Sequence, residues 1–95
     1  MAKGLKFEWD CRKALSNNEK HGISFEEACQ ALGDILAITI PDPDHGDHQE
    51  LREVTIGASG KHRIVVVSHT SRDGTIRIIS ARKADRSEIN QYNEG

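Results

Sequence analysis

"RIVVVSHTSRDGTIRIISA", residues 63–81, decides the fold of this chain. Two runs rich in β-branched residues, 63–70 and 75–81, flank the polar link "SRDG", whose aspartate and glycine suit a hairpin turn. A third such run, "REVTIGA" (52–58), precedes them across "SGKH". The three runs predict an antiparallel meander. The unbroken apolar series "IVVV" places the 63–70 strand at its centre, covered on both faces.

The segment before this meander predicts a short edge strand and two helices. "LKFEWD" (5–10) is the strand, and Asp10 then caps a helix through "CRKALSNNEKH" that Gly22 ends. Ser24 and Glu27 form a capping box at the start of the second helix. The apolar residues of that helix follow the spacing of one buried face: Phe25, Ala28, Cys29 and Leu32.

A further strand and a last helix complete the predicted order β-α-α-β-β-β-β-α. "ILAITI" (35–40) is the strand, which Pro41 ends, and Asp85 with Glu88 forms a second possible capping box before the C-terminal helix. We therefore predict a single α+β domain over residues 1–95. Its helices, two N-terminal and one C-terminal, pack on one face of a mostly antiparallel sheet of four to five strands.

The charges are unevenly distributed along a chain whose formal net charge is −2. Residues 42–53 carry five acidic residues against one arginine, whereas residues 61–86 carry seven lysines and arginines against two aspartates. The acidic total argues against strong non-specific affinity for nucleic acid. It nevertheless allows a local basic surface in the second half of the chain.

The sequence favours a cytoplasmic protein with free thiols. No apolar stretch approaches the length of a membrane span, and the N-terminus lacks the apolar region of a signal peptide, so we expect no membrane association. Cys11 and Cys29 do not have C-x-x-C spacing, and in a reducing compartment we expect both to be unpaired. Cys29 falls on the apolar face of the second helix and is expected in the core.

The segment "DPDHGDH" (42–48) gathers oxygen and imidazole groups that would suit a divalent metal. Its spacing matches no known metal-binding loop, and its glycine, together with Pro43 and the preceding Pro41, is typical of an exposed turn. A solvated loop is therefore the favoured interpretation, with a metal site as the alternative.

Several cations lie where a simple structural role does not fully account for them. Lys20 and His21 end the first helix, where they offset the helix dipole or, alternatively, place a titratable imidazole beside an ammonium. Arg77 lies inside the last strand; alternation puts Arg77, Ile79 and Ala81 on one face, opposite Ile76 and Ile78. Arginines on neighbouring strands repel each other unless an anion lies between them, and phosphate fits the guanidinium fork. The alternative is an ion pair of Arg77 with Glu53 or an aspartate.

"FEWD" and "KHGISFEEA", within residues 7–28, resemble the opening of BrnT-type toxins, small ribonucleases of type II toxin–antitoxin systems. "REVTIGAS", "RIVVVSHT" and "IRIISARKA" resemble the rest of that family in order, so that the resemblance covers residues 7–92. It implies a RelE-like fold and RNA cleavage without a metal or other cofactor. It also implies a ribbon-helix-helix antitoxin as partner, through which alone the pair would contact operator DNA.

The resemblance also implies which residues act on RNA. The catalytic positions would be Lys20, His21, Arg52, Arg77 and Arg82, and the RNA-binding positions Trp9, Lys13 and Glu53. His21 or Glu53 would be the base for attack by a 2′-OH, and Arg77 with Arg52 or Arg82 would stabilise the phosphorane. Lys20 would bind a flanking phosphate. Trp9 is open to two interpretations, a core residue or a stacking partner for a base.

Two other functions are compatible with the sequence. The chain can be an interaction module without activity that serves as antitoxin partner and co-repressor, which the acidic total favours and the retained cations oppose. It can also be a metal-dependent hydrolase that uses the 42–48 loop.

Overall fold

The computed structural model of the chain describes residues 6–42 and 51–94. The elements occur in the order β-α-α-β-β-β-β-α, which confirms the predicted order and the α+β class. Their bounds are β1 Lys6–Glu8, α1 Cys11–His21, α2 Phe25–Leu32, β2 Ile38–Pro41, β3 Arg52–Ala58, β4 Ile64–Arg72, β5 Thr75–Lys83 and α3 Arg86–Glu94.

The five strands form one sheet in the order β1-β5-β4-β3-β2. β2, β3, β4 and β5 pair antiparallel in turn, which confirms the meander and the central place of β4. The turn between β4 and β5 has positive φ at Asp73 and Gly74, 52° and 80°, as a type I′ hairpin requires. β1 pairs parallel with β5, with Phe7 opposite Ile76. The start of the chain therefore lies beside its last strand.

The predicted alternation of side chains along β5 is wrong beyond Ile78. The register between β4 and β5 shifts there, and Ile79 is the extra residue of a β-bulge. A bulge restarts the alternation. Ala81 therefore joins Ile78 in the core, although the spacing from Arg77 predicted that Ala81 would share the face of that arginine.

The main core lies between the sheet and the two N-terminal helices, as predicted. Its buried members are Ile23, Phe25, Ala28, Ala31, Val65, Val67, Ile78 and Ala81. α2 approaches β3 so closely that a Cβ at Gly57 would overlap the carbonyl oxygen of Ala31. Cys29 packs against this core, as expected, and burial raises the pKa of its thiol to about 11. Cys11 is exposed, and both thiols are free.

α3 belongs to the opposite face of the sheet. Arg82 lies opposite Val66, one residue from the core pair Val67 and Ala81, so that its side chain points away from α1 and α2. The guanidinium of Arg82 binds Glu88 of α3, and α3 contacts β3. This placement differs from the prediction that all helices share one face.

The two predicted capping boxes have different outcomes. At α3 the box is complete, because the Glu88 N–H donates to Asp85 Oδ1 (2.9 Å) and the Asp85 N–H donates to Glu88 Oε1 (2.8 Å). At α2 the Ser24 hydroxyl accepts from the Glu27 N–H, but the Glu27 carboxylate binds Arg63 Nε at 2.6 Å instead. That hydrogen bond lowers the pKa of Glu27 to about 2 and fastens α2 to the start of β4.

Within residues 6–42 and 51–94, no helix is long and apolar enough to cross a membrane. The candidate metal segment 42–48 lies outside the described residues except for Asp42. Among the residues that are described, no three potential metal ligands of the His, Cys, Asp or Glu type gather in one place.

Candidate functional site

Arg52, Thr70 and Arg77 form one row across β3, β4 and β5. Arg52 lies opposite Thr70, and Thr70 lies opposite Arg77. Thr70 is three residues from the core residue Val67, so the row lies on the face away from α1 and α2. Two strand spacings, about 10 Å, separate the two arginine backbones. Side chains of this length can therefore meet on a single phosphodiester group.

Arg77 has an ion-pair partner that the sequence did not predict. Its Nη1 donates to Glu8 Oε2 at 3.2 Å, and the two side chains are 43% and 50% exposed. Glu8 lies directly opposite Arg77 because β1 pairs in parallel with β5. Arg77 therefore has an acidic partner, as the alternative interpretation predicted, but this partner is Glu8 and not Glu53, which lies on the other face of the sheet. Exposed pairs of this kind contribute little to stability, so this one does not explain why an arginine is placed here.

A second group of basic side chains lines a pocket between α1 and β5. Lys13, Lys20 and His21 surround a space of about 190 Å³. The remaining lining residues are Ser16, Asn17, Ile79 and Ser80. Lys13 and Lys20 are seven residues apart and thus share one side of α1. Ile79 and Ser80 lie between Arg77 and Arg82 along β5, so this pocket adjoins the strand that carries both arginines.

Asn17 fixes α1 against β5. Its side-chain amide donates to the carbonyl oxygens of Ile23 (2.9 Å) and Ala81 (2.8 Å), and its Oδ1 accepts from the Ala81 N–H (3.0 Å). The amide therefore pairs with β5 beyond the point where β1 ends, and it holds Lys13 and Lys20 beside that edge. Sequence reasoning missed Asn17; its one signal was an asparagine inside a helix, where the residue is disfavoured without a partner.

Arg82 is separated from Arg77 and engaged with α3. Their partners on β4, Val66 and Thr70, are four residues apart, which corresponds to about 13 Å along the strand. Two nitrogens of Arg82 donate to both carboxylate oxygens of Glu88, at 2.9 and 2.7 Å. These hydrogen bonds raise the pKa of Arg82 and lower that of Glu88. Arg82 therefore does not meet Arg52 and Arg77 in one cluster.

Two comparisons with known proteins bear on the family of the chain. Residues 9–88 match the family model of the ribonuclease toxin BrnT of type II toxin–antitoxin systems. The chain belongs to this family. The crystal structure of the Brucella abortus ribonuclease toxin BrnT is similar to it, with a TM-score of 0.66 and 25% sequence identity over 86% of this chain and 99% of that chain. No curated protein matches it.

Two residues that the BrnT resemblance associated with RNA lie apart from both groups of basic residues. The Trp9 ring packs edge-on against Phe25, with ring centroids 5.9 Å apart, and borders the core. Its remaining surface lines a separate groove of about 340 Å³ with Leu15 and Asn18, on another side of α1. Glu53 lies opposite His69 on the face that carries α1 and α2. Both residues are thus present, but neither faces Arg77.

His69 is a buried polar residue of this BrnT family member for which the sequence suggested no structural role. It is 4% exposed, its Nε2 lies 2.7 Å from Thr55 Oγ1, and Thr55 Oγ1 lies 2.7 Å from Thr39 Oγ1. Its Nδ1 is buried and has no hydrogen-bond partner among the residues that the structure describes. Burial lowers the pKa of this imidazole, more than the carboxylate of Glu53 raises it. Burial therefore favours the neutral form of the His69 imidazole, which lies inside the sheet, away from the row of Arg52 and Arg77.

Proposed function

We propose that the chain is the toxin of a type II toxin–antitoxin pair and cleaves RNA as a metal-independent endoribonuclease. The observation that carries the proposal is the row of Arg52, Thr70 and Arg77 on a sheet face, in a member of a ribonuclease toxin family. Two guanidinium groups about 10 Å apart at the backbone suit one phosphodiester.

The reaction would be attack of a ribose 2′-OH on the adjacent phosphorus. The 2′-oxygen forms a bond to phosphorus as the bond to the 5′-oxygen breaks, which leaves a 2′,3′-cyclic phosphate and a 5′-hydroxyl. Negative charge grows on the phosphoryl oxygens in the transition state, and fixed guanidinium donors stabilise it most where it develops. Arg77 supplies one such donor and Arg52 the second, while Lys20, exposed beside β5, would bind a flanking phosphate.

The acid and base of this reaction must lie near the scissile phosphate. Of the candidates that the resemblance suggested, His21 lies in the pocket with Lys13 and Lys20. This position favours a role for His21 beside the RNA backbone. Glu53 faces the other side of the sheet, which weighs against it. Arg82 is held by Glu88, so its use in the reaction would require that ion pair to open.

Membership of the family also supports the partners. We propose that a cognate antitoxin of the ribbon-helix-helix type neutralises this chain in the cytoplasm. Operator DNA would be contacted through that antitoxin alone.

The direct test is cleavage of a fluorescent RNA by the purified protein with and without EDTA. Arg77→Ala should lower the rate about 100-fold or more, since one lost transition-state donor costs on that order. Lys61→Ala removes the same charge from the loop at the far end of β3 and should cleave at the parent rate. Equal rates for both variants, or activity abolished by EDTA, would contradict the proposed site.

The alternative function, an inactive antitoxin partner and co-repressor, has one structural observation in its favour. Arg77 and Arg82 each face a carboxylate, Glu8 and Glu88. Induced expression in bacteria separates the two functions. An active toxin arrests growth and degrades bulk RNA, whereas a co-repressor binds its antitoxin and leaves growth unchanged.

A further inference from the structure

We propose that Glu8 is the general base that removes the 2′-OH proton during RNA cleavage. This inference rests on the proposed function, and it assigns the base to a residue that neither the sequence nor the family resemblance suggested. The inference rests on the position of Glu8 in β1. Among the described residues, Glu8 carries the only carboxylate that forms an ion pair with Arg77.

Glu8 occupies the end of the row that contains the two arginines. β1 pairs with β5 so that Glu8 lies opposite Arg77, just as Thr70 does from the other side. The order across the face is therefore Arg52, Thr70, Arg77 and Glu8, with two cations followed by one carboxylate. Glu8 is half-exposed, so a ribose can reach the carboxylate oxygen that does not bind Arg77.

The geometry of the ion pair leaves Arg77 able to hold phosphate at the same time. Among the described residues, Glu8 contacts Arg77 through Nη1 alone. The guanidinium carries five N–H donors in a planar fork, so its Nε and Nη2 edge is available to a phosphate oxygen. A phosphate on that edge and the carboxylate on Nη1 then become neighbours on one planar group.

A carboxylate this close to the bound phosphate meets the distance requirements of a general base. The 2′-oxygen must lie about 3 to 3.5 Å from the phosphorus that it attacks, and the base within about 3 Å of that oxygen. A carboxylate that shares the guanidinium with the phosphate satisfies both requirements. Glu53 cannot, because it lies on the opposite face of the sheet, beside His69.

The step balances without a further reactant. The Glu8 carboxylate takes the proton of the 2′-OH while the bond from the 2′-oxygen to phosphorus forms. The bond to the 5′-oxygen breaks, and that oxygen takes a proton from water at this half-exposed site. The carboxylic acid returns its proton to solvent before the next turnover.

The experiment measures single-turnover cleavage and RNA binding for Glu8→Gln, Glu8→Ala and the control Glu26→Gln, which neutralises an exposed carboxylate on α2. We expect Glu8→Gln to lower the cleavage rate by about 100-fold or more, the usual contribution of a positioned base. RNA affinity should be retained or increased. Added formate should restore Glu8→Ala at least about 10-fold, because a small carboxylate can take the vacated place, and it should leave Glu26→Gln unchanged.

Three outcomes overturn the inference. If Glu8→Gln cleaves at or above the parent rate while Arg77→Ala does not cleave, the proposed function stands and Glu8 is only a counterion. If Glu8→Ala is slow but formate does not restore it, Glu8 positions Arg77 instead of moving a proton. If the parent protein does not cleave RNA at all, both proposals fail together. Circular dichroism of each variant establishes that it is folded.

Discussion

Asn17 shows how much one side chain contributes to the placement of the candidate site. It makes three buried hydrogen bonds to backbone groups of Ile23 and Ala81, and no other described residue joins α1 to β5 through the side chain in this way. Asn17→Leu keeps the number of side-chain heavy atoms but leaves an N–H and two carbonyl groups without partners. We expect a loss of about 2 to 4 kcal/mol in the free energy of unfolding, measured by urea denaturation.

The matched control for this change is Asn18→Leu. It alters an exposed neighbour on the same helix in the same chemical way, and it should change the free energy of unfolding by less than about 0.5 kcal/mol. Equal losses for the two variants would mean that helix propensity, and not the pairing with β5, is responsible.

The buried imidazole of His69 makes the free energy of unfolding depend on pH. Burial lowers the pKa of its imidazole below the ordinary value of 6.5, while Glu53 opposes this shift more weakly. Below pH 6.5 the unfolded chain therefore binds a proton that the folded chain does not. Stability falls as the pH drops through this window, by at most about 1.4 kcal/mol per pH unit from this residue.

Urea denaturation at pH 7.5 and pH 5.5 measures this contribution. His69→Gln should flatten the difference between the two conditions. The control is His62→Asn. His62 is exposed and has a positive φ, which asparagine tolerates, so this variant should show the same difference between the two pH values as the parent protein. An unchanged pH dependence in His69→Gln would show that this histidine is not the source.

At the scale of elements, α3 is attached by polar contacts. None of its nine residues, all of them described, is buried. Glu88 binds Arg82 near its start, and the Tyr92 hydroxyl donates to Asp34 near its end, which raises the pKa of Tyr92. An element held in this way should open locally before the sheet unfolds.

Tyr92→Phe tests this attachment by removing one of the two contacts. We expect amide hydrogen exchange to become roughly 3- to 10-fold faster across residues 86–94, while the amides of β4 exchange as before. Asn93→Ala, a change at the exposed next residue, should leave both segments unchanged. Faster exchange in β4 as well would show that α3 and the sheet unfold as one unit.

The elements also show which parts of the structure could be predicted. The meander follows from local patterns, because the apolar period and the Asp73–Gly74 turn are properties of neighbouring residues. The parallel pairing of β1 with β5 and the bulge at Ile79 depend on residues far apart in the chain or on packing. For this reason Arg77 could be singled out from sequence, whereas its neighbour Glu8 could not.

At the scale of the whole molecule, a formal net charge of −2 coexists with a concentration of cations around β5. Arg52, Arg77 and Lys20 are the phosphate contacts that the proposed function requires. Arg82 is already paired with Glu88. RNA binding should therefore depend on salt as expected for about two neutralised phosphates, one shared by Arg52 and Arg77 and one bound by Lys20, and not for the full set of basic residues in the chain.

For single-stranded RNA each neutralised phosphate contributes about −0.7 to the slope of log K against log salt concentration, so two phosphates predict a slope of about −1.4. Arg77→Ala should reduce its magnitude by about 0.7. Lys61→Ala lowers the net charge equally but lies at the far end of the sheet, so its slope should match the parent. Fluorescence anisotropy from 50 to 300 mM salt measures both. The two variants have the same net charge, so only a local site can distinguish them. Equal reductions of the salt slope in both would mean that overall charge, and not the row of Arg52 and Arg77, governs RNA binding.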